Sequence, residues 1–223
     1  MNATSNSVTE ISIPAARVSF AAAATFVVLL IALHFIEPEF DPSWRFISEY
    51  ELGRFGWVMS LAFLCLAISY VTLFIAIRLQ LRTIAGRIGL ALLLVSAVGL
   101  AMAGIFTTDP ITTSPEDATT SGMLHGVGGS LGIAMTFAAA IISWNLARNP
   151  SWSSARRALL WTASIAVACT IGFIVYLIVA LPSDGMFGPA VLAGGIGRIE
   201  ILAYSAWLMV VSSKAIRVHG QNP

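Results

Sequence analysis

The chain has 223 residues, 57% of them hydrophobic and only 10% charged, with a formal net charge of +1 and a mean hydropathy of +0.86. A soluble domain carries roughly 25% charged residues, so this composition predicts an integral membrane protein. No basic patch of the kind that holds nucleic acid is present, and nucleic-acid partners are excluded on that ground.

The polar start "MNATSNSVTE" leads residues 1–16, expected to be a disordered cytoplasmic N-terminus. Six apolar runs follow, at about Val18–Ile36, Phe55–Ile77, Ile84–Phe106, Gly122–Leu146, Ala158–Leu181 and Val191–Ser213. Each matches the roughly 20 residues that cross a hydrocarbon core of about 30 Å. The first is read as a true span, because only Arg17 precedes it closely and "HFIEPEF" offers no small-residue cleavage pattern. Short connections make residues 17–217 one all-α, six-helix membrane bundle, with 218–223 as a tail. Cys65 and Cys169 sit near the middle of spans two and five, where they are expected to pack as small apolar residues and form no disulfide.

Basic residues in short loops mark the cytoplasmic side. Arg17, Arg78, Arg82, Arg87, Arg148, Arg156, Arg157, Lys214 and Arg217 flank one set of helix ends, and only Arg45 and Arg54 flank the other. Both termini are therefore expected in the cytoplasm of a cell with this protein in its plasma membrane. Glu37, Glu39, Asp41, Glu49, Glu51, Asp109, Glu116, Asp117 and Asp184 fall on the opposite side and give the outer mouth a negative character.

The first outer connection, "EPEFDPSWRFISEYELG", predicts a short interfacial helix. Asp41 would cap it, Pro42 would open it and Gly53 would stop it, with Trp44, Phe46, Ile47 and Tyr50 on an apolar face. Arg45 and Glu49 lie four apart, as a solvated pair or with Glu49 directed into a cavity under the helix.

Span four opens on "TSGMLHGVGGS". Gly122, Gly128, Gly129 and Gly132 share a face with His125, and the small-xxx-small spacings Gly122/Gly126 and Gly128/Gly132 predict close approach of another helix. His125 is then turned toward protein, as a ligand group or simply bonded to a backbone carbonyl. Span six contains "GGIGRIEILAY", which sets Arg198 and Glu200 within the outer third of the bilayer. Ionisable groups at such depth normally face the bundle interior or water. Two residues apart, they point to nearly opposite sides of a regular helix, as a structural network or as site residues. His34 and Glu37 at the end of span one and Asp109 in "FTTDP" complete one membrane level of candidates: His34, Glu37, Glu49, Asp109, His125, Arg198 and Glu200.

Three segments of the chain, "ISEYELGRFGWV", "GIFTTDP" and "GMLHGVGG", resemble the prokaryotic membrane-protein family called domain of unknown function 998, which is similar in build to the eukaryotic Frag1/DRAM/Sfk1 proteins. The resemblance covers most of the chain. It implies that Ser48, Glu49, Gly53, Asp109 and His125 fall on motif positions, and it implies no settled activity.

Two classes of function follow. As a binding protein, the chain would hold a membrane lipid by its headgroup, or another small polar group, with Arg198 as anion partner and Glu49, Asp109 and His125 as walls. As a membrane enzyme, it would use the same groups for acid–base chemistry on a lipidic substrate, or a metal held by His34, His125 and Glu200. Binding is favoured, since no short-spaced metal motif and no Ser-x-x-Lys, His-Glu-x-x-His or Gly-x-Ser-x-Gly pattern occurs and the sequence requires no cofactor. A small-molecule transporter is the remaining alternative, without visible inverted halves to support it.

Overall fold

The computed structural model describes residues 11–182 and 185–220, so Asp184, residues 1–10 and the last three residues lie outside the description. Seven α-helices make up the described chain: α1 (Ile13–Ile36), α2 (Gly56–Ile77), α3 (Ile84–Ile105), α4 (Thr120–Gly132), α5 (Ala134–Arg148), α6 (Arg156–Ala180) and α7 (Ala193–Gly220). They form six segments long and apolar enough to cross a membrane, with α4 and α5 stacked end to end as the fourth. Each segment packs on its neighbour in sequence, and α7 returns to α1 to close the ring.

Lipid tails are as apolar as leucine, so hydroxyl bonds and small residues do much of the holding between helices. Ser212 Oγ donates to Ser19 Oγ at 2.9 Å, while Ser19 and Ser69 each donate to the other's carbonyl at 2.9 Å, tying α7, α1 and α2 at one level. Trp207 Nε1 donates to Ser143 Oγ at 2.8 Å and joins α7 to α5. Outward faces carry exposed Val28, Phe35, Ile178 and Val179, and Trp57 at one end and Trp144 and Trp161 toward the other stand exposed, as interfacial tryptophans do.

Helix ends depart from the sequence expectation in four places. Helix α1 begins at Ile13, inside the segment expected to lack structure, because Pro14 suits a first turn and the Ser12 N–H is taken by the Ala76 carbonyl at 3.2 Å. Helix α7 continues through Val218 to Gly220, into the expected tail, and Val218 is buried. No helix starts at Asp41 among the described residues: Asp41 Oδ1 instead accepts from the Ser43 N–H at 2.9 Å in a turn, and a 3-10 helix spans Ile47–Leu52 before stopping at Gly53. Span four breaks at Ile133, whose N–H is shared between the Ser130 and Leu131 carbonyls and whose own carbonyl accepts from Thr136, short-range bonds that replace the regular ladder after a glycine-rich turn.

That break has an architectural result. Helix α5 packs on both α3 and α6, whereas α4 packs on α3. Above Ile133 a cleft therefore opens between α4 and the α6/α7 pair.

The glycine stripe is split accordingly. A Cβ on Gly128 would lie 2.6 Å from the Gly99 carbonyl oxygen, so that glycine provides the expected close helix crossing. A Cβ on Gly126, Gly129 or Gly132 would meet nothing within 4 Å. Three of the glycines thus border open space rather than a partner helix.

Candidate functional site

The site end of the bundle carries the α1–α2, α3–α4 and α6–α7 connections. Its tightest feature is a knot around Arg198. Helix α7 starts beneath the α1–α2 loop, whose Trp44 and Ser43 carbonyls accept from the Gly194 and Gly195 N–H groups at 3.2 and 2.8 Å. Only glycine permits this approach, because a Cβ on Gly194 would stand 2.2 Å from the Arg45 carbonyl oxygen. One turn further on, Arg198 Nη1 donates to the carbonyls of Pro42 (3.0 Å), Arg45 (2.6 Å) and Gly194 (3.1 Å). Its Nε donates to His34 Nε2 at 2.9 Å and its Nη2 to the Tyr50 hydroxyl at 3.3 Å. His34 Nδ1 in turn donates to the Leu30 carbonyl at 2.7 Å, which leaves Nε2 as the acceptor.

Arg198 is only 8% exposed, and its donors go to loop and helix carbonyls, His34 and Tyr50. In this geometry it anchors the loop instead of presenting a free guanidinium to an anion. Glu37, fully buried just after α1, stands apart from this knot: its Oε1 accepts from the Phe55 N–H and holds the entry to α2, and its Oε2 has no partner.

Beside the knot lies a vestibule of about 420 Å³, largely apolar in surface but carrying the polar groups of Ser48, Glu49, Asp109, Thr113 and His125 on its walls, with the α3–α4 loop along one side. Glu49 lines this space with its side chain 1% exposed. Its Oε1 accepts from Arg45 Nη1 at 2.9 Å and from the Ile111 N–H at 3.0 Å, while Oε2 has no partner. Asp109 closes the loop onto α4, accepting from the Thr119 N–H and hydroxyl at 2.8 Å each, and Thr119 caps that helix through the Gly122 N–H at 3.0 Å.

A second, mainly apolar chamber of about 440 Å³ follows directly, along the cleft between α4 and the α6/α7 pair. Phe46, Ser48, His125, Gly126 and Gly129 line both spaces and form their common wall. Ile133 and Ile174, at the α4 and α6 edges of the chamber, are 45% and 40% exposed, so its rim turns apolar side chains outward. Glu200 lines the chamber on the side of α7 opposite the knot, as its two-residue offset from Arg198 implies. Glu200 Oε1 accepts from the Tyr204 hydroxyl at 3.1 Å, and Tyr204 is bonded to Thr136 and Thr170, forming a polar cluster across three helices.

Sequence reasoning missed Glu51. It sits behind the shared wall, 1% exposed, where Oε2 accepts from the Thr108 N–H at 3.1 Å and lies 3.4 Å from His125 Nδ1. Burial pushes its carboxyl up from the ordinary 4.5 to about 7, against the opposing pull of the Thr108 N–H and the Ser60 hydroxyl. His125 Nδ1 itself donates to the Phe106 carbonyl at 2.8 Å. Tyr204 was missed too, although the i, i+4 spacing of Glu200 and Tyr204 in an apolar run was a visible signal.

The seven candidates therefore divide. His34 and Arg198 belong to the knot, Glu37 to the start of α2, Glu49, Asp109 and His125 to the vestibule, and Glu200 to the chamber. The alternative metal site of His34, His125 and Glu200 is not assembled: among the described residues no three His, Cys, Asp or Glu side chains gather around a common point, and His34 is taken by Arg198. Both cysteines are free thiols on α2 and α6.

No curated protein and no solved structure matches this sequence. One family profile does, over residues 20–214, which takes in the knot, the vestibule and the chamber together. The chain therefore belongs to the family described as protein of unknown function (DUF998), a multi-pass membrane protein whose three resemblance motifs meet at the site end of the bundle.

Proposed function

We propose that the protein binds an amphipathic lipid, with the polar head in the vestibule and an apolar tail in the chamber. The observation that carries this reading is the adjacency of the two spaces on either side of His125, one carrying acids and hydroxyls and bordered by loops, the other apolar with outward-exposed Ile133 and Ile174 at its edges. Ligand pockets are typically apolar with a few placed polar groups. A tail entering sideways between α4 and α6 needs no water-filled route. The charge distribution supports a plasma-membrane orientation with both termini cytoplasmic and the site on the outer face. A reporter fused after Pro223 then stays inside, and one inserted near Glu116 is exported.

The test is lipid mass spectrometry on protein purified in mild detergent, beside Gly129→Leu and Glu200→Gln. Expected is co-purifying lipid that both variants lose without a change in melting temperature. Protein free of lipid, or lipid retained equally in the variants, would sink the reading. Acid–base chemistry on the bound lipid is the second reading, favoured by Glu51 standing 3.4 Å from His125 at the shared wall. Turnover of a lipid by the purified protein, lost in Glu51→Gln, is its test.

A further inference from the structure

The charge of the vestibule is the reverse of what a phosphate pocket needs. Its ionisable lining consists of Glu49, Asp109 and His125, and no lysine or arginine is among the described residues that wall it. Arg198 is spent on the knot. Arg45 approaches Glu49 from outside the vestibule and lies over the Trp44 ring, 4.6 Å from its centroid.

The two acids differ in what they still lack. Both oxygens of Asp109 accept from Thr119. Glu49 is 1% exposed, uses one oxygen for Arg45 and Ile111, and leaves Oε2 without a partner. A buried carboxylate oxygen that accepts nothing is unfavourable until a donor reaches it. An ammonium group supplies such donors, offers no lone pair for the acids to repel, and also suits the hydroxyls of Ser48 and Thr113 on the same walls.

We infer that the vestibule takes an ammonium head, with Glu49 as its carboxylate partner, so that the protein selects amphiphiles bearing an amine over those whose head is only anionic. This rests on the reading of vestibule and chamber as one lipid site. The same chemistry could arrive on a free soluble amine, and the experiment separates the two sources.

Delipidated protein is offered equimolar palmitoyl-oleoyl phosphatidylethanolamine, its N-acetylated form, and phosphatidylglycerol with the same chains, and bound lipid is counted by native mass spectrometry. In parallel, ethanolamine alone is tested for thermal protection. Phosphatidylethanolamine is expected to be retained at least roughly tenfold over the other two, the ratio that one charge-assisted hydrogen bond confers. Glu49→Gln should level the three. Thr113→Lys, on the facing loop, leaves the Arg45–Glu49 pair in place and should turn the preference toward phosphatidylglycerol, so the inference stays testable if Glu49→Gln fails to fold. Equal retention of all three lipids by the unaltered protein, or an unchanged preference in Thr113→Lys, overturns the ammonium head and leaves lipid binding standing. Protection by ethanolamine with no lipid bound keeps the ammonium site and overturns the lipid reading. Neither lipid nor ethanolamine bound overturns both.

Discussion

The knot around Arg198 and the cavity past His125 hold the same kinds of residue at the same end of the bundle, yet they differ in one physical respect. In the knot the guanidinium, the imidazole and the Tyr50 hydroxyl face each other and the loop carbonyls. In the cavity Glu49, His125 and Glu200 border unfilled volume, and one Glu49 oxygen accepts nothing. Polarity within a membrane is therefore not by itself a mark of function. The sharper mark is hydrogen-bonding capacity that meets space, because capacity spent on protein supports the fold and capacity left beside a cavity is available to a ligand.

The largest expected effect breaks the knot. Arg198→Leu would strip donors from the Pro42, Arg45 and Gly194 carbonyls, and with each orphaned group costing about 1–3 kcal/mol the fold should lose at least ~3 kcal/mol. Arg198→Lys should recover only part of this, since a single ammonium cannot reproduce the guanidinium fork that spans backbone, His34 and Tyr50. Melting temperature and folded yield measure the loss. Unchanged stability with lipid retention abolished would move Arg198 out of the knot and back into the site.

A smaller contrast comes from two adjacent glycines. Gly128→Leu drives a side chain into the Gly99 carbonyl and Met102 Cβ, 2.6 and 3.0 Å from the new Cβ, and should cost the 1–3 kcal/mol typical of overpacking, about that range here as well. Gly129→Leu meets nothing within 4 Å and should leave melting nearly unchanged while filling the chamber and expelling lipid. Thermal stability and bound lipid, measured on both, should dissociate in opposite directions. If both variants melt early, the Gly129 face is a packing face and the chamber is closed in the folded protein.

The sequence made the spans legible because hydropathy and length are properties of a continuous run, and all six survive in the structure. It also made the divergence of Arg198 and Glu200 legible, because a two-residue offset on a helix is geometric. What receives Arg198 was not, since its partners are mostly backbone carbonyls of a loop, and every residue has one. The glycines of span four were read as contact because small-xxx-small spacing describes a surface without saying what lies against it. The break at Ile133, which turns half of that surface toward a cleft, depends on where α5 packs. Glu51 escaped for a local reason. An α-helix from Asp41 gives the Arg45–Glu49 face prominence, whereas the three-residue turn of Ile47–Leu52 sends Glu49 to the vestibule and Glu51 to His125.

Glu51 stands between the two regions, buried like the knot yet touching the wall of the cavity, and its titration decides to which it belongs. Its carboxyl is raised from 4.5 to about 7 by burial, so the folded protein holds a proton that the unfolded chain releases between those values. A state that binds more protons when folded loses stability as pH rises. The contribution should be absent below about pH 4.5, grow through the window to about pH 7, and stay constant above it, with a slope of at most ~1.4 kcal/mol per pH unit. Glu51→Gln should remove that slope and melt later than the unaltered protein at pH 8, since it carries no charge to bury. Melting curves from pH 5 to 8 on both proteins provide the comparison. A slope common to both would assign the pH dependence to other groups. A stability independent of pH, beside lipid retention that falls as pH rises and does so only when Glu51 is present, would place this carboxyl with His125 in the cavity and not with the groups that hold the fold.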